Sequence, residues 1–325
     1  PKPIPIIPQF RSRITHHVSR MPLITELLHR VAYHECDLHQ IVRDACYLRY
    51  MQEAAFNASA VAGYGDDRYQ AMRRVWLIRE SVVDFMAPLR YGDQVIVRTW
   101  VADFRRVRSR RAYELRRAGD ELLIARAYTD WAFLDRDTGR PALIPAELIA
   151  GFFPDDQPGE AQERARFPVA PPPPPGLCTL RQPVQWRDLD SVGHVNNAAY
   201  GDAVENAGRE AVRRCGWPTS RMTDAGFDLA TRRLRIEYRH PALPGDELLI
   251  STWLSALTEQ GALRHTTVAR AADGELLAQA ETAWGCVDLP ARAAVAAPPA
   301  FLADLRGQTA LPLDQGAHRG APISS

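Results

Sequence analysis

Cysteine is scarce in this chain. Five occur in 325 residues, at 36, 46, 178, 215 and 286, odd in number and never as a C-x-x-C pair. That excludes a disulfide scaffold and argues against a thiolate zinc site, so no metal is expected, and reduced thiols point to the cytoplasm. No apolar run reaches 18 residues, so no transmembrane helix is expected. Charge of one sign is also lacking. With 40 Lys+Arg against 39 Asp+Glu the net charge is +1, and no overall field draws the protein to nucleic acid or membrane. What is present is ordinary for a globular protein: 46% hydrophobic and 24% charged residues. A length of 325 residues suggests about two domains.

The first 20 residues are Pro-rich and basic without an acid. Residues 1–24 therefore read as a disordered extension, with a short transit peptide as the alternative and Met21 as a candidate original start. Residues 154–177 contain Pro171 to Pro175 and Gly176, the composition of a semi-rigid polyproline linker. Residues 291–325 read as a tail rich in Ala, Pro and Gly, with one short helix around Ala300–Leu305.

The segments on either side of the linker, 25–153 and 178–290, repeat each other at an offset of 153. Asp37 falls on Asp190, Val42 on Val195 and Tyr47 on Tyr200. Gly92-Asp93 falls on Gly245-Asp246, Thr99-Trp100 on Thr252-Trp253, and Trp131 on Trp284. Two Trp, two Tyr and several Asp at one constant offset imply one fold occurring twice, a pseudo-dimer within a single chain. Each half reads as a helix followed by four strands, an α+β class. In the first half Asp44 is placed to cap a helix ending near Gly63; in the second, Asn196 or Asn197 caps one that stops before Gly216. Both helices carry Ala-rich stripes suited to lying close on a sheet. The strand-like runs are Trp76–Phe85, Gln94–Asp103, Arg110–Arg117 and Leu122–Leu134, then Arg233–Tyr238, Glu247–Leu257, Ala262–Arg270 and Leu276–Val287. The tryptophans on these strands read mainly as core.

Chemistry concentrates before the second helix, in Asp188-Leu189-Asp190-Ser191-Val192-Gly193-His194-Val195-Asn196-Asn197. A carboxylate on a loop precedes a helix start furnished with His194 and two amides. Unpaired N–H groups at a helix start can hold a developing oxyanion, and a carboxylate beside them can serve as base or nucleophile. The plainer reading has Asn196 and Asn197 only capping and His194 packed.

The D-x-x-G-H-V-N-N-x-x-Y stretch resembles the hotdog-fold thioesterase motif. The wider chain, over about 25–150 and 180–290, resembles the acyl-ACP thioesterase family, which carries two hotdog repeats. Supporting stretches are Trp76-Leu77-Ile78, Thr99-Trp100, Arg110-Arg111 and Trp131 through Thr138. The resemblance implies a double hotdog: antiparallel sheets wrapped around long central helices. It also implies hydrolysis of fatty-acyl thioesters on a phosphopantetheine arm, of acyl carrier protein or coenzyme A, without a cofactor. Asp190 and His194 match the plant members' D-x-N-x-H stretch, but Val192 replaces its Asn. The Glu and Cys that follow a Tyr-Arg pair in those members are missing after Tyr238-Arg239, so a plant-type network cannot operate there.

In the first half, Glu35-Cys36-Asp37-Leu38-His39-Gln40-Ile41-Val42 resembles the 4-hydroxybenzoyl-CoA type of hotdog thioesterase, whose catalytic Asp maps onto Asp37. Asp190 has the richer surroundings and leads over Asp37. His39 could serve Asp37, although it also reads as an exposed loop histidine. Glu205, equivalent to Gln52, is a secondary base candidate against the reading of a solvated helix acid. In Arg105-Arg106-Val107-Arg108-Ser109-Arg110-Arg111, strand alternation would put Arg106, Arg108 and Arg110 on one face and Arg105 and Arg111 on the other. Such cations could steer an acidic carrier or hold a pantetheine phosphate, with a solvated strand face as the alternative. Two other functions compete: a hotdog hydratase or dehydratase, whose D-x-N-P-x-H or G-H-F-P runs are absent, and a non-catalytic acyl-carrier binding module. A further dimerisation of the two-repeat unit is open.

Overall fold

The computed structural model describes residues 22–153 and 162–310. Most of the expected extension, the first part of the linker and the end of the tail lie outside the described residues. The first repeat runs β1 (Thr25–Arg30), α1 (Asp44–Val61), α2 (Asp66–Ala71), β2 (Arg74–Phe85), β3 (Gln94–Arg105), β4 (Arg108–Arg117), β5 (Leu123–Asp135) and α3 (Ala146–Phe152). The second runs β6 (Cys178–Pro183), α4 (Asn197–Arg214), α5 (Thr219–Asp224), β7 (Phe227–Tyr238), β8 (Glu247–Thr258), β9 (Gly261–Arg270), β10 (Leu276–Asp288), β11 (Ala294–Val295) and α6 (Pro299–Leu305).

Each repeat therefore opens with a strand, not with its helix. β1 and β6 are six-residue edge strands whose residues alternate inward and exposed, with Cys178 of β6 buried, and they pair antiparallel with β3 and β8. The strands form one sheet in the order β1-β3-β4-β5-β2-β7-β10-β9-β8-β6, with β11 on β10. This order is a palindrome about the β2–β7 junction. There Val82 faces Arg235, while Glu80 faces Glu237 and Asp84 faces Arg233. Val82 and Arg235 are equivalent positions of the two repeats, so a pseudo-two-fold axis passes between them. Two ion pairs, Arg233–Asp84 at 2.7 Å and Arg235–Glu80 at 2.9 Å, fasten the seam.

The long helices pack on each other inside the sheet. Where they cross, a Cβ on Gly201 would lie 2.8 Å from Leu48 Cδ1 and 3.3 Å from Ala45 Cβ. Leu48 is the equivalent of Gly201, so one large and one absent side chain share the crossing. Arg49 and Asp202, also equivalent, form an ion pair beside it. Both helices end on left-handed glycines, Gly63 at φ 81° and Gly216 at φ 84°, which lets the chain reverse without Cβ strain.

The main core joins both helices to the inner sheet face, with Tyr47, Met51, Leu115, Ile236 and Ile250 all buried. Two smaller clusters close the ends. One gathers Phe104, Phe133 and Phe152 with α3; the other gathers Trp217, Trp284, Phe301 and Leu305 with α6. α6 is the equivalent of α3, so the packed part of the second repeat continues past residue 290. Of the strand tryptophans, Trp131, Trp253 and Trp284 are buried, and Trp76 and Trp100 are half-buried. The described part of the linker is strapped to the sheet rather than free. Arg164 reaches the buried Asp103 at 2.5 Å, and the Pro171 carbonyl accepts from Trp253 Nε1 at 3.1 Å.

Candidate active site

Each long helix begins beneath a loop that carries an aspartate. At α4, Asn196 is the N-cap and its Oδ1 accepts from the Ala198 N–H at 2.9 Å. Its Nδ2 donates to Gln52 Oε1 at 3.1 Å and lies 3.5 Å from Asp190 Oδ2. Asp190 Oδ1 accepts from the Val192 N–H at 3.0 Å, and His194 Nδ1 stands 3.7 Å from Asp190 Oδ2. Asn197 is the first helical residue, and its carbonyl accepts from the Tyr238 hydroxyl at 3.3 Å. The expected grouping of Asp190, His194 and Asn196 thus exists in space.

At α1 the N-cap is Arg43, with no side-chain cap bond. Asp44 is not the cap. It is the first helical residue, and its half-buried carboxyl meets the Thr231 hydroxyl from the second repeat. Asp37 Oδ1 accepts from the N–H groups of His39 and Ile41, both at 2.9 Å. Its Oδ2 takes no hydrogen bond among the described residues. The turn needs a left-handed residue, Gln40 at φ 62° here and Gly193 at φ 91° in the other repeat.

The two sites differ in what the opposite repeat contributes. Beside Asp190 it is Asn196 that meets Gln52, and the 153 offset sets Phe56, Val75 and Ile78 at the remaining equivalent positions. The Asp37 side has Glu205, Arg209, Asp228 and Thr231 instead. A cavity of about 520 Å³ is lined by these four together with Asp37, His39 and Asp44. Asp190 does not line it, nor does it line the second cavity of about 860 Å³ between the helices. The sequence favours Asp190, but of the two carboxylates it is Asp37 that lines a cavity.

Charges in the cavity are coupled. Burial, and then the neighbouring Asp44 carboxyl, push Glu205 up to about 8. Burial likewise raises Asp44. Glu205 is therefore not a solvated helix acid; its surroundings favour the protonated carboxyl, and it also borders the second cavity. Nor is His39 an exposed loop residue. Its side chain is 10% exposed and its Nε2 lies 3.2 Å from Asp228 Oδ2, at ion-pair distance but off the line of a hydrogen bond. Asp228 in turn pairs with Arg209. Arg209 and Asp228 escaped the sequence reading because neither belongs to a motif. The signal for them was internal: they replace Phe56 and Val75 of the first repeat at the same offset.

The arginine run is not one strand. Arg106-Val107 is the turn between β3 and β4, so the expected alternation of Arg106, Arg108 and Arg110 against Arg105 and Arg111 does not hold. Arg106 and Arg108 are exposed. Arg110 instead makes a two-pronged pair with Asp130, at 2.8 and 2.7 Å, and lies over Tyr128. Arg111 is buried with its guanidinium 5.3 Å from the Phe152 ring centre. None of the four lines the cavity, and Arg110 and Arg111 are withdrawn from carrier contact.

A family model described as the thioesterase-like superfamily matches the chain twice, over residues 31–152 and 184–305. A palmitoyl-acyl carrier protein thioesterase of Cuphea hookeriana is 26% identical over 162 residues, 47% of this chain and 39% of the relative. The chain thus spans about two fifths of the length of the curated plant relatives it matches. The long-chain acyl-CoA thioesterase FadM of Escherichia coli is 30% identical over 116 residues, 35% of this chain and 85% of that protein. The structure of a 12:0-ACP thioesterase from Umbellularia californica superposes with TM-score 0.63 at 19% identity, covering 80% of this chain and 93% of that one, a likeness of fold.

Proposed function

From the premise that the chain belongs to the thioesterase-like superfamily, we propose that it hydrolyses acyl thioesters carried on a phosphopantetheine arm, with fatty acyl-ACP as the first substrate class, and that Asp37 rather than Asp190 is the reacting carboxylate. The observation that carries the reading is the cavity: it brings together an Asp37 oxygen without a hydrogen bond among the described residues, a helix N-terminus and Glu205, whose carboxyl is raised to about 8. With the thioester carbonyl over the start of α1, the N–H groups there face the oxygen on which charge develops. Asp37 takes a proton from water as its oxygen bonds to the carbonyl carbon. The C–S bond then breaks, and Glu205 gives its proton to the departing thiolate. Proton exchange from Asp37 back to Glu205 restores the site. Asp228 holds His39 beside Asp37 and Arg209 neutralises Asp228, so these act as positioning residues. Arg106 and Arg108 remain cations suited to an acidic carrier. Five free thiols suit a reducing compartment, and we place the protein in the cytoplasm. Among the described residues no helix is long and apolar enough to cross a membrane.

The decisive measurement is the steady-state rate of Asp37→Asn and Asp190→Asn on acyl-ACP and acyl-CoA. Asp37→Asn is expected to lose roughly 100-fold or more of kcat, the scale of a general base. Asp190→Asn should stay within about tenfold, since the Asp190 side chain lines neither cavity. Absence of hydrolysis on both carriers, or the larger loss at Asp190, overturns the reading.

A further inference from the structure

The outer face of the second repeat's sheet carries a serine, a histidine and a glutamate side by side on three strands. Trp253 of β8 is the cross-strand partner of His265 of β9, and His265 is that of Glu281 of β10, so all three side chains stand on one face. Ser255, two residues past Trp253, shares that face. The neighbours in sequence, Arg264 and Thr282, line the Asp37 cavity, so the face points away from it. Ser255 Oγ lies 2.7 Å from His265 Nε2. On the other side of the ring, His265 Nδ1 lies 3.6 Å from Glu281 Oε1, at ion-pair distance but without a hydrogen bond. The Trp253 ring lies 5.7 Å from the imidazole at 33°, and its Nε1 is held by the Pro171 carbonyl of the linker. The histidine and glutamate side chains are 4% and 14% exposed, whereas Ser255 is half-buried and within reach of solvent.

The fold does not require these groups. Their equivalents in the first repeat are Ala102, Ala112 and Tyr128, on strands paired in the same register, with Trp100 in place of Trp253. Burying an imidazole whose Nδ1 lacks a hydrogen-bond partner among the described residues costs free energy that an alanine does not. The same burial holds His265 down to about 4, so at neutral pH the ring is uncharged and one nitrogen offers a lone pair. With the ring proton on Nδ1, toward Glu281, that lone pair is on Nε2 and the serine hydroxyl donates to it. The other tautomer would set the Nδ1 lone pair against an ionised Glu281. The backbone adds a second sign. Both repeats have an irregularity in strand pairing here, but only in the second is the next residue, Ala256, held in the left-handed region, at φ 50°. For a residue with a Cβ that conformation is strained, and the strain sits beside the hydroxyl.

We propose that Ser255 is an activated nucleophile that accepts an acyl group from an activated ester, with His265 as its base and Glu281 as the positioning carboxylate. Ser255 Oγ bonds to the carbonyl carbon as its proton passes to His265 Nε2. The bond from that carbon to the leaving oxygen breaks, and the leaving group takes the proton from Nε2. The products are an O-acylated Ser255 and the free alcohol or phenol. Glu281 closes on Nδ1–H while the imidazole carries charge, a contact that is often long before a substrate is bound. This site is separate from the Asp37 cavity and does not depend on it.

The test treats the full chain with p-nitrophenyl acetate, quenches in acid and locates the acetyl group by peptide mass spectrometry. Acetylation of Ser255 approaching one group per chain is expected. His265→Gln should slow acetylation of Ser255 by roughly 100-fold or more, the scale of a general base. Glu281→Gln, a milder change, should slow it by about tenfold or more and serves if His265→Gln fails to fold. A merely structural hydrogen bond between Ser255 and His265 would leave that rate unmoved. Because the acetyl is read on its own peptide, turnover of the ester at Asp37 does not count, and the outcome is independent of the thioesterase reading. Absence of acetyl from Ser255, or its arrival there as fast in the folded variants as in the parent, overturns the inference.

Discussion

At the scale of single residues the two aspartates show how much a motif leaves open. Asp190, His194 and Asn196 stand in the motif order, and they do gather around the start of α4. Of the two aspartates it is nevertheless Asp37 that lines a cavity, with Glu205, Arg209 and Asp228 reaching the same space from the other repeat. These contributions are distant in sequence, so no local spacing announces them. Glu205 gives a pH prediction. Its carboxyl is raised in the folded state, so its stabilising contribution is complete below the ordinary carboxylate range near 4.5 and disappears as pH rises through about 8. Glu205→Gln cannot ionise and should escape that loss. Urea midpoints measured at pH 5 and pH 9 should therefore fall more for the parent than for the variant, by a difference on the order of a few kcal/mol. Equal slopes would show that Glu205 is ionised in the fold. A second residue-level expectation concerns the attacking atom. With Asp37 as base toward water, single-turnover hydrolysis in heavy-oxygen water leaves no label in its carboxylate, and mass spectrometry of the peptide checks this.

At the scale of elements, the two long helices and the eight long strands were legible because their apolar periodicities are strong and local, while the short helices α2, α3 and α5 were not. β1 and β6 were not. Each is six residues long, exposed on one face, and separated from its partner strand by a whole helix, so its pairing is decided by tertiary contact. The arginine run misled for a related reason: Arg106-Val107 carries no Gly, Pro or Asn, yet the chain turns there. The helix crossing offers a sharp test. Gly201→Leu would restore the residue found at the equivalent position, but its Cβ alone would meet Leu48 at 2.8 Å. The double-leucine crossing should cost about 1–3 kcal/mol by denaturant unfolding, and adding Leu48→Ala should recover part of it. At the far end, Phe301 of α6 is fully buried among Trp217, Phe227 and Trp284. Phe301→Ala should cost about 3–5 kcal/mol, which would mark α6 as part of the second repeat's core rather than a loose tail.

At the scale of the whole molecule, the continuous sheet and the paired helices make the repeats one cooperative body. β2 and β7 share five residue pairs across the seam, and the main core draws side chains from both repeats. A single calorimetric transition is expected, with calorimetric and van 't Hoff enthalpies in agreement. Two resolved transitions would mean that the repeats unfold separately. The same architecture explains why only one of the two loop sites opens onto the larger set of charges. A symmetric pseudo-dimer offers two equivalent clefts, and substitutions in one repeat act on the cleft whose loop belongs to the other. Where Phe56 and Val75 stand in the first repeat, Arg209 and Asp228 stand in the second, so the polar cleft forms beneath Asp37.

The amino-acid order alone determined the duplication, the α+β class, the central helices with their glycine stops and the presence of an aspartate loop before each helix. These follow from periodicity, turn chemistry and a constant offset, all properties of residues near one another along the chain. Which aspartate faces a cavity, which acid has its pKa raised and which arginines are drawn into the core were decided only by tertiary structure. Each of those depends on desolvation and charge supplied across the seam by side chains far away in sequence.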